Sequence, residues 1–281
     1  MVSIKTPKIH DLRTSLKVLE ASGQLQKINR PVSLDCELGT LAVELENRSL
    51  GAALITNPVC KPAGLYLPEA AAMPVVANVL SHPKQVALIL GCEPGNLVSF
   101  LASSMEHPIT PTEQNSAPFL ENVLRDEANL NSLPIPRHTA KDGGDRDGRF
   151  ISGGVVFARD PETGDVNASF QRFQLRGPRE TSIQINNWRH LLTYHEKAEA
   201  QDKPLPIAIA LGVDPVVSIA AGIRTEIDEM KYAGALRGQP IELTPAPVTG
   251  IPVPTETEIV IEGNIPVSYT HLRAHETAYD L

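Results

Sequence analysis

The 281-residue chain carries 42% hydrophobic and 21% charged residues and a formal net charge of −8. That length can bury a sizeable core in one or two domains. The negative balance argues against binding nucleic acid through phosphate neutralisation, so a small molecule is the expected partner. Cys36, Cys60 and Cys92 are odd in number and widely spaced. They fit neither a disulfide framework nor a CxxC metal site, and reduced thiols in a cytoplasmic protein are expected. The first residues lack the apolar core of a signal peptide, and apolar runs such as residues 86–90 are far too short to span a bilayer, so no membrane role is expected.

In chain order, Asp11 predicts the cap of a helix whose Leu12, Leu16 and Leu19 share a face and which Gly23 stops. A polar, β-leaning stretch over residues 24–30 follows, then a second amphipathic helix through Leu38, Leu41 and Leu45. Residues 52–55 and 74–80 read as buried strands, and Ser81 is expected to cap a helix that carries Val86 and Leu90 and ends at Gly91. Residues 1–105 are thus an α/β region. Between residues 106 and 150 the composition shifts to Pro, Asn, Asp and Gly, which predicts a long connection of the kind that often serves as a lid.

From residue 151 strands dominate. Residues 153–159 and 166–176 flank Asp160-Pro-Glu-Thr-Gly-Asp165, whose turn formers predict a hairpin. Residues 181–185 form a third strand, and Asn187 is expected to cap a helix with Trp188, Leu191, Leu192 and His195 on one face. Residues 206–211 read as a buried strand leading through a turn at Pro215 into a short helix, and Thr225 is expected to start a further helix ending at Gly234 or Gly238. The fold class is therefore α+β: an N-terminal α/β region followed by a β-rich domain over residues 151–267 with helices packed outside it.

Three residues can gather at one pole: Asn167 on a strand, and His190 and Glu229 each in the first turn of a helix. An amide oxygen, an imidazole and a carboxylate suit Mn²⁺ or Mg²⁺ better than thiolate-seeking metals. Two helix N-termini at the same spot would also favour a phosphate. Taken singly, each residue has an ordinary reading: Asn167 as a turn residue, His190 as an exposed helical residue, Glu229 as an acid complementing a helix dipole. Thr225-Glu-Ile-Asp228 fits a capping box, which gives Asp228 a structural task and leaves Glu229 for a ligand. Arg172, on a strand rich in β-formers, offers a planar fork suited to a carboxylate, or else to a neighbouring acid on a barrel surface. Asn167 and Arg172 lie an odd number of residues apart, so a bulge or sharp twist near Ser169 is needed to bring them to one side.

Asn167-Ala-Ser-Phe-Gln-Arg172, His190, and Asp228-Glu229 with Ala233-Gly-Ala-Leu-Arg-Gly238 resemble the signature of the UbiD family of carboxy-lyases. Asp11-Leu-Arg13, Gly23-Gln-Leu-Gln-Lys-Ile-Asn-Arg-Pro-Val32, Pro74-Val-Val-Ala-Asn-Val79 and Pro161-Glu-Thr-Gly164 resemble family patterns in the same order, so that the likeness covers about residues 8–267. It implies a split β-barrel flavin-binding domain and reversible, non-oxidative decarboxylation of an aromatic or α,β-unsaturated acid with prenylated FMN. By the same resemblance Asn167, His190 and Glu229 hold Mn²⁺ at the flavin phosphate, often with K⁺ nearby. Ser169, Phe170, Gln171 and Arg172 line the cofactor, with Gln184, Ile185, Asn186 and Arg189 close by, and Arg172 orients the substrate carboxylate. A full-length homo-oligomer is implied as well.

The family continues after the strand at residues 258–263 into a Glu-Gly-Pro-Phe-Gly-Glu type segment whose acids pair with the arginine. Residues 268–281 lack that motif; they are expected to be a non-native tail, and this chain to be an inactive fragment. Two other readings stand beside this one. One is a flavin- or phosphate-binding module without chemistry. The other is a purely structural barrel with solvated polar strand positions.

Overall fold

The structure, a computed structural model, describes residues 9–61, 64–143, 147–185, 190–223 and 227–267. Asn186, Asn187, Trp188, Arg189, Thr225 and the tail at 268–281 lie outside the described residues, and so do the roles expected of them.

The N-terminal region opens with helix α1 (Leu12–Ala21), capped as expected: the Asp11 carboxylate accepts from the Thr14 amide, and the Thr14 hydroxyl accepts from the Asp11 amide. Strand β1 (Leu25–Ile28), the short β2 (Val32–Ser33), helix α2 (Glu37–Asn47), β3 (Ala52–Ile55), the short β4 (Pro58–Val59) and β5 (Val75–Ala77) follow. β1 and β3 run parallel, joined through α2, while β5 pairs antiparallel on the far side of β3. Leu38 and Leu45 of α2 are buried with Val32, Leu34, Ala53 and Ile55, as the spacing predicted. The next helix, α3 (Pro83–Leu90), is capped by His82 and not by Ser81. Pro83 takes the first helical position, the His82 ring accepts from the Lys84 amide, and Ser81 instead bonds the Gln85 side chain. Gly91 ends it at φ +69°. Helix α4 (Leu97–Met105), unforeseen in the sequence, follows directly. No single described helix is long and apolar enough to cross a membrane.

Where it is described, the connecting segment is bonded to both regions. It contributes a short strand, β6 (Thr112–Glu113), and Arg137 bridges both Asp35 and Arg149. The Arg137 amide donates to Leu34 and its carbonyl accepts from Cys36, so residue 137 stitches the two regions together.

The second region contains β7 (Phe150–Ile151), β8 (Val155–Arg159), β9 (Val166–Phe170), β10 (Phe173–Leu175), β11 (Thr181–Ile183), α5 (His190–Glu199), β12 (Leu205–Leu211), α6 (Pro215–Gly222), α7 (Glu229–Arg237), β13 (Glu242–Pro245), β14 (Pro252–Pro254) and β15 (Ile259–Ile265). Its main sheet is antiparallel in the order β15-β12-β8-β9, and the expected hairpin joins β8 to β9 with Arg159 opposite Val166. Side chains alternate across this sheet, as strand geometry requires. Val155, Phe157, Ala208 and Ala210 pack with α6 and α7, whereas Val156, Ala158, Ile207 and Ile209 pack with α5 and β10. Sheets β11-β10-β7 and β14-β13-β6 lie beside it, and all five sheets of the described residues are open. The fold is mixed α+β.

Arg149 joins the regions. It is 4% exposed, pairs with Asp147, donates to the Leu65 carbonyl and the Asn131 side chain, and stacks on Tyr66. Burial pushes the Asp147 carboxyl up, but the bonds from Arg149 outweigh it and hold the group below the usual carboxylate range. Replacing Arg149 by Met leaves the Leu65 carbonyl and the Asn131 side chain without their guanidinium donor, and Asp147 with only the backbone amide of residue 149. We expect a loss on the order of 3 kcal/mol, read as a lowered urea midpoint; an unchanged midpoint would refute the role given to this residue.

Candidate cofactor and metal site

β9 is the edge strand of its sheet, so helices on both faces can reach around it. Asn167 is its second residue and is 6% exposed, which removes the turn-residue reading. It points away from the face of Ala168, towards α5. His190 is the first residue of α5, and its Nδ1 lies 3.2 Å from Asn167 Nδ2. Glu229 is the first residue of α7, on the other face of the sheet. Its Oε1 accepts from Asn167 Nδ2 at 2.7 Å and its Oε2 accepts from the Ala168 amide at 3.2 Å. That amide is one of the outward groups an edge strand leaves unpaired. Asn167, His190 and Glu229 therefore meet at one point.

Local sequence explains how each helix delivers its first residue. Asp228 does have a structural task, but it is the cap itself and not the third residue of a box starting at Thr225. Its carboxylate accepts from the amides of Met230 and Lys231, and α7 begins at Glu229. Two of the N–H groups expected to face a phosphate are consumed in this way, so α7 offers fewer free donors than its position suggests. At the other end Gly238, at φ +72°, closes the helix. On α5, Tyr194 stacks under His190 with rings 13° from parallel and centroids 6.4 Å apart.

Nothing in the donor set conflicts with a hard or borderline cation. Side-chain amide oxygen and nitrogen are interchangeable by a flip of the group. With Asn167 Oδ1 turned inward, an amide oxygen, an imidazole nitrogen and a carboxylate oxygen would converge, an arrangement that repels unless a cation lies between. Without one, the amide nitrogen fills that place as a donor. Burial pushes the Glu229 carboxyl above its usual range despite the bond from Ala168, the environment a cation would relieve. Among the described residues no group of three His, Cys, Asp or Glu gathers as a metal site; this cluster reaches three donors through its amide. Ser169 Oγ and Gln171 Nε2, next to Asn167 along the chain and each in a residue 6% exposed, are buried without a hydrogen-bond partner. Buried polar atoms of this kind are satisfied by ordered water, an ion or a polar ligand.

The other candidates are dispersed. Phe170 packs with the apolar cluster on the Ala168 side, Gln184 is exposed just beyond β11, and Ile185 packs partly against the second apolar cluster. Arg172 lies where the chain leaves β9 in one sheet for β10 in another. The break falls at Gln171 and Arg172, not at Ser169, and it is a change of sheet instead of a bulge within a strand. The guanidinium is supported on the Phe150 ring at 4.5 Å and lies 3.9 Å from Asp142, with the side chain 61% exposed. Asp142 and Phe150 were missed in the sequence, where neither has a spacing that marks it.

Two family models match in sequence order: the 3-octaprenyl-4-hydroxybenzoate carboxy-lyase N-terminal domain over residues 16–105 and its Rift-related domain over residues 110–276. The chain belongs to the UbiD family. It is 35% identical over 195 residues to an anhydromevalonate phosphate decarboxylase of Methanothermobacter thermautotrophicus, an alignment covering 69% of this chain and 44% of that protein. It is 29% identical to the phenolic acid decarboxylase of Escherichia coli O157:H7, covering 91% and 54%. Among solved structures, an evolved dimeric form of the UbiD-class enzyme HmfF from Pelotomaculum thermopropionicum in complex with prFMN matches with a TM-score of 0.81 at 32% identity, over 92% of this chain and 58% of that one. The vanillic acid decarboxylase of Sedimentibacter hydroxybenzoicus matches at 0.82 and 29%, over 92% and 55%. The chain spans about half the length of the curated UbiD relatives it matches.

If Asp228 is only a cap, its charge is dispensable and its acceptor is not. Asp228→Ala should cost about 1 kcal/mol and Asp228→Asn only a few tenths, measured by thermal unfolding in chelator-treated buffer. Equal losses for the two would contradict the assignment.

Proposed function

We propose that the whole protein is a prenylated-FMN-dependent carboxy-lyase, acting in the cytoplasm as a homo-oligomer. Its substrate would be an aromatic or α,β-unsaturated carboxylic acid, decarboxylated reversibly and without oxidation. On this reading residues 1–105 and the connection at 106–150 support a flavin-binding domain at 151–267, whose sheets around β8 and β10 are the halves of a split barrel. The observation that carries the proposal is the meeting of Asn167, His190 and Glu229 at the edge of β9. These three would hold Mn²⁺, with K⁺ nearby, against the phosphate of the cofactor. Bound there, prenylated FMN supplies the electron sink that cleavage of a carbon–carbon bond requires.

The chain's own groups have separate tasks in this scheme. Ser169 and Gln171 offer their unpartnered polar atoms to the cofactor. Arg172 makes no hydrogen bond among the described residues, and its contact with Asp142 is longer than a hydrogen bond. The guanidinium fork is therefore available for bidentate capture of a carboxylate. The Phe150 ring beneath it limits the directions in which the fork can face. Holding the scissile carboxylate in one orientation is the positional part of catalysis, and a misplacement of about 1 Å costs on the order of 10²-fold in rate.

Thermal unfolding of this chain with FMN and Mn²⁺ tests the site. Mn²⁺ at a hundred times its Kd should stabilise it by about 2.7 kcal/mol, and Asn167→Ala, His190→Ala and Glu229→Ala should each abolish that gain. A melting temperature indifferent to Mn²⁺ would sink the proposal. For the reaction itself, CO₂ release from cinnamic, benzoic and protocatechuic acids is followed with the whole protein and prenylated FMN. Arg172→Ala should keep the Mn²⁺ stabilisation and lower turnover by about 10²-fold or more. Flavin binding without any turnover would instead mark a binding module.

A further inference from the structure

α5 is fastened to the β8–β9 hairpin at two points, only one of which belongs to the site. At its first residue His190 meets Asn167 at 3.2 Å. Seven residues on, at two helical turns and so on the same face, Lys197 Nζ lies 2.7 Å from Asp160 Oδ2 and 3.1 Å from Glu162 Oε2. Tyr194, between the two, stacks on His190.

Asp160 is well placed to act as an anchor. It is 6% exposed, and its Oδ1 accepts from the amides of Glu162 and Thr163. Its own amide donates to the Asp165 carbonyl and closes the turn. The carboxylate is thereby fixed relative to β9, in which Asn167 stands opposite Ala158, two residues before Asp160. On its other side α5 is bonded through buried His195, whose Nε2 lies 3.1 Å from the Pro266 carbonyl, and it rests on the apolar face formed by Leu191 and Ala198; these contacts hold its position but leave its rotation against the hairpin to the groups that face β8 and β9. A charge pair at the other end, on the same face, removes that freedom.

We propose that Lys197 and Asp160 are positioning residues for the cofactor site, a clamp that sets the rotation of α5 and so aims the His190 imidazole at Asn167. The inference rests on the metal-site reading only for its consequence; the clamp itself is a property of the metal-free chain. Partners bonded directly to a metal ligand typically change metal affinity 10- to 100-fold when removed, and a clamp that acts through the helix is expected at the lower end of that range.

The test uses the intact chain with Lys197→Met and the conservative Lys197→Arg. Long-range ¹H–¹⁵N spectra of the metal-free protein read the His190 ring nitrogens. The Met variant should shift the Nδ1 resonance, and the Arg variant should leave it near that of wild type. Mn²⁺ titration followed by electron paramagnetic resonance should then show about a tenfold weaker Kd for the Met variant, with Arg restoring it. An unmoved Nδ1 signal in Lys197→Met overturns the clamp, whatever the titration gives. A moved signal in a protein that binds no Mn²⁺ even as wild type supports the clamp while refuting the metal-site reading, so the two failures are distinct. Folding is checked by the near-ultraviolet circular dichroism of each variant.

Discussion

Everything at the site depends on β9 lying at the edge of its sheet. An interior strand would have spent the outward amide of Ala168 on a neighbour and would have kept helices from one face away from the other. At the edge, that amide is free for Glu229, and α7 from one side meets α5 from the other. An exposed edge is ordinarily a liability for aggregation. Here it is covered by the carboxylate of a helix, and the covering group is itself a member of the cluster. One geometric fact thus accounts for both the protection of the sheet and the place where three donors from distant segments coincide.

The same strand explains why its polar residues do not go to solvent. Alternation puts Asn167 and Ser169 on the side of α5, while Ala168 and Phe170 face the apolar cluster with α6 and α7. Beyond Phe170 the chain changes sheets, and Arg172 is set down on the Phe150 ring outside the buried row. Both faces of β9 are covered by helices, so an exposed cation on the same segment requires the chain to leave this sheet. The change of sheet leaves the amide row inside and sets the guanidinium where a carboxylate from solution can reach it.

Much of the architecture is legible in the sequence, because local signals and tertiary packing agree. The Asp11 cap, the leucine face of α2, the buried run at β3 and the Asp160–Asp165 turn each combine a propensity with a period that burial then exploits. The misplacements have particular causes. At α3, His82 displaced Ser81 because Pro83 fixes the first helical position, and an imidazole is not among the usual caps. At α7, Asp228, which reads as the far member of a capping box, is the N-cap itself, without a box. α4 escaped notice because its apolar residues are not confined to one stripe, and Val98 remains 80% exposed. The meeting of Asn167, His190 and Glu229 was anticipated as a set, yet its cause was not: nothing local reveals that β9 is an edge strand. Long-range pairings such as Arg149 with Leu65 and Asn131 are likewise absent from any short window of sequence.

Both helices that deliver a donor are held at the end remote from it. Arg237, at the last position of α7, forms a buried bidentate pair with Asp214 and donates to the Ile89 carbonyl of α3. Asp214 is in turn the cap of α6, so the pair locks α7 against two other helices. On α5, Lys197 does the corresponding work through Asp160. The buried Arg237–Asp214 pair adds little net stability, since desolvation of the two charges offsets most of their attraction, and the partly exposed Lys197–Asp160 pair is weakened by solvent. Their effect lies in orientation, because a charge without its partner in a buried place is far more costly than the pair, and only one arrangement of the helix satisfies it. An apolar contact tolerates sliding; the bidentate Arg237–Asp214 pair does not, and Lys197 is confined between the carboxylates of Asp160 and Glu162. The cluster at β9 needs its donors held to within fractions of an ångström by elements that share no covalent neighbour, and pairs at the remote helix ends supply that restraint without occupying the site.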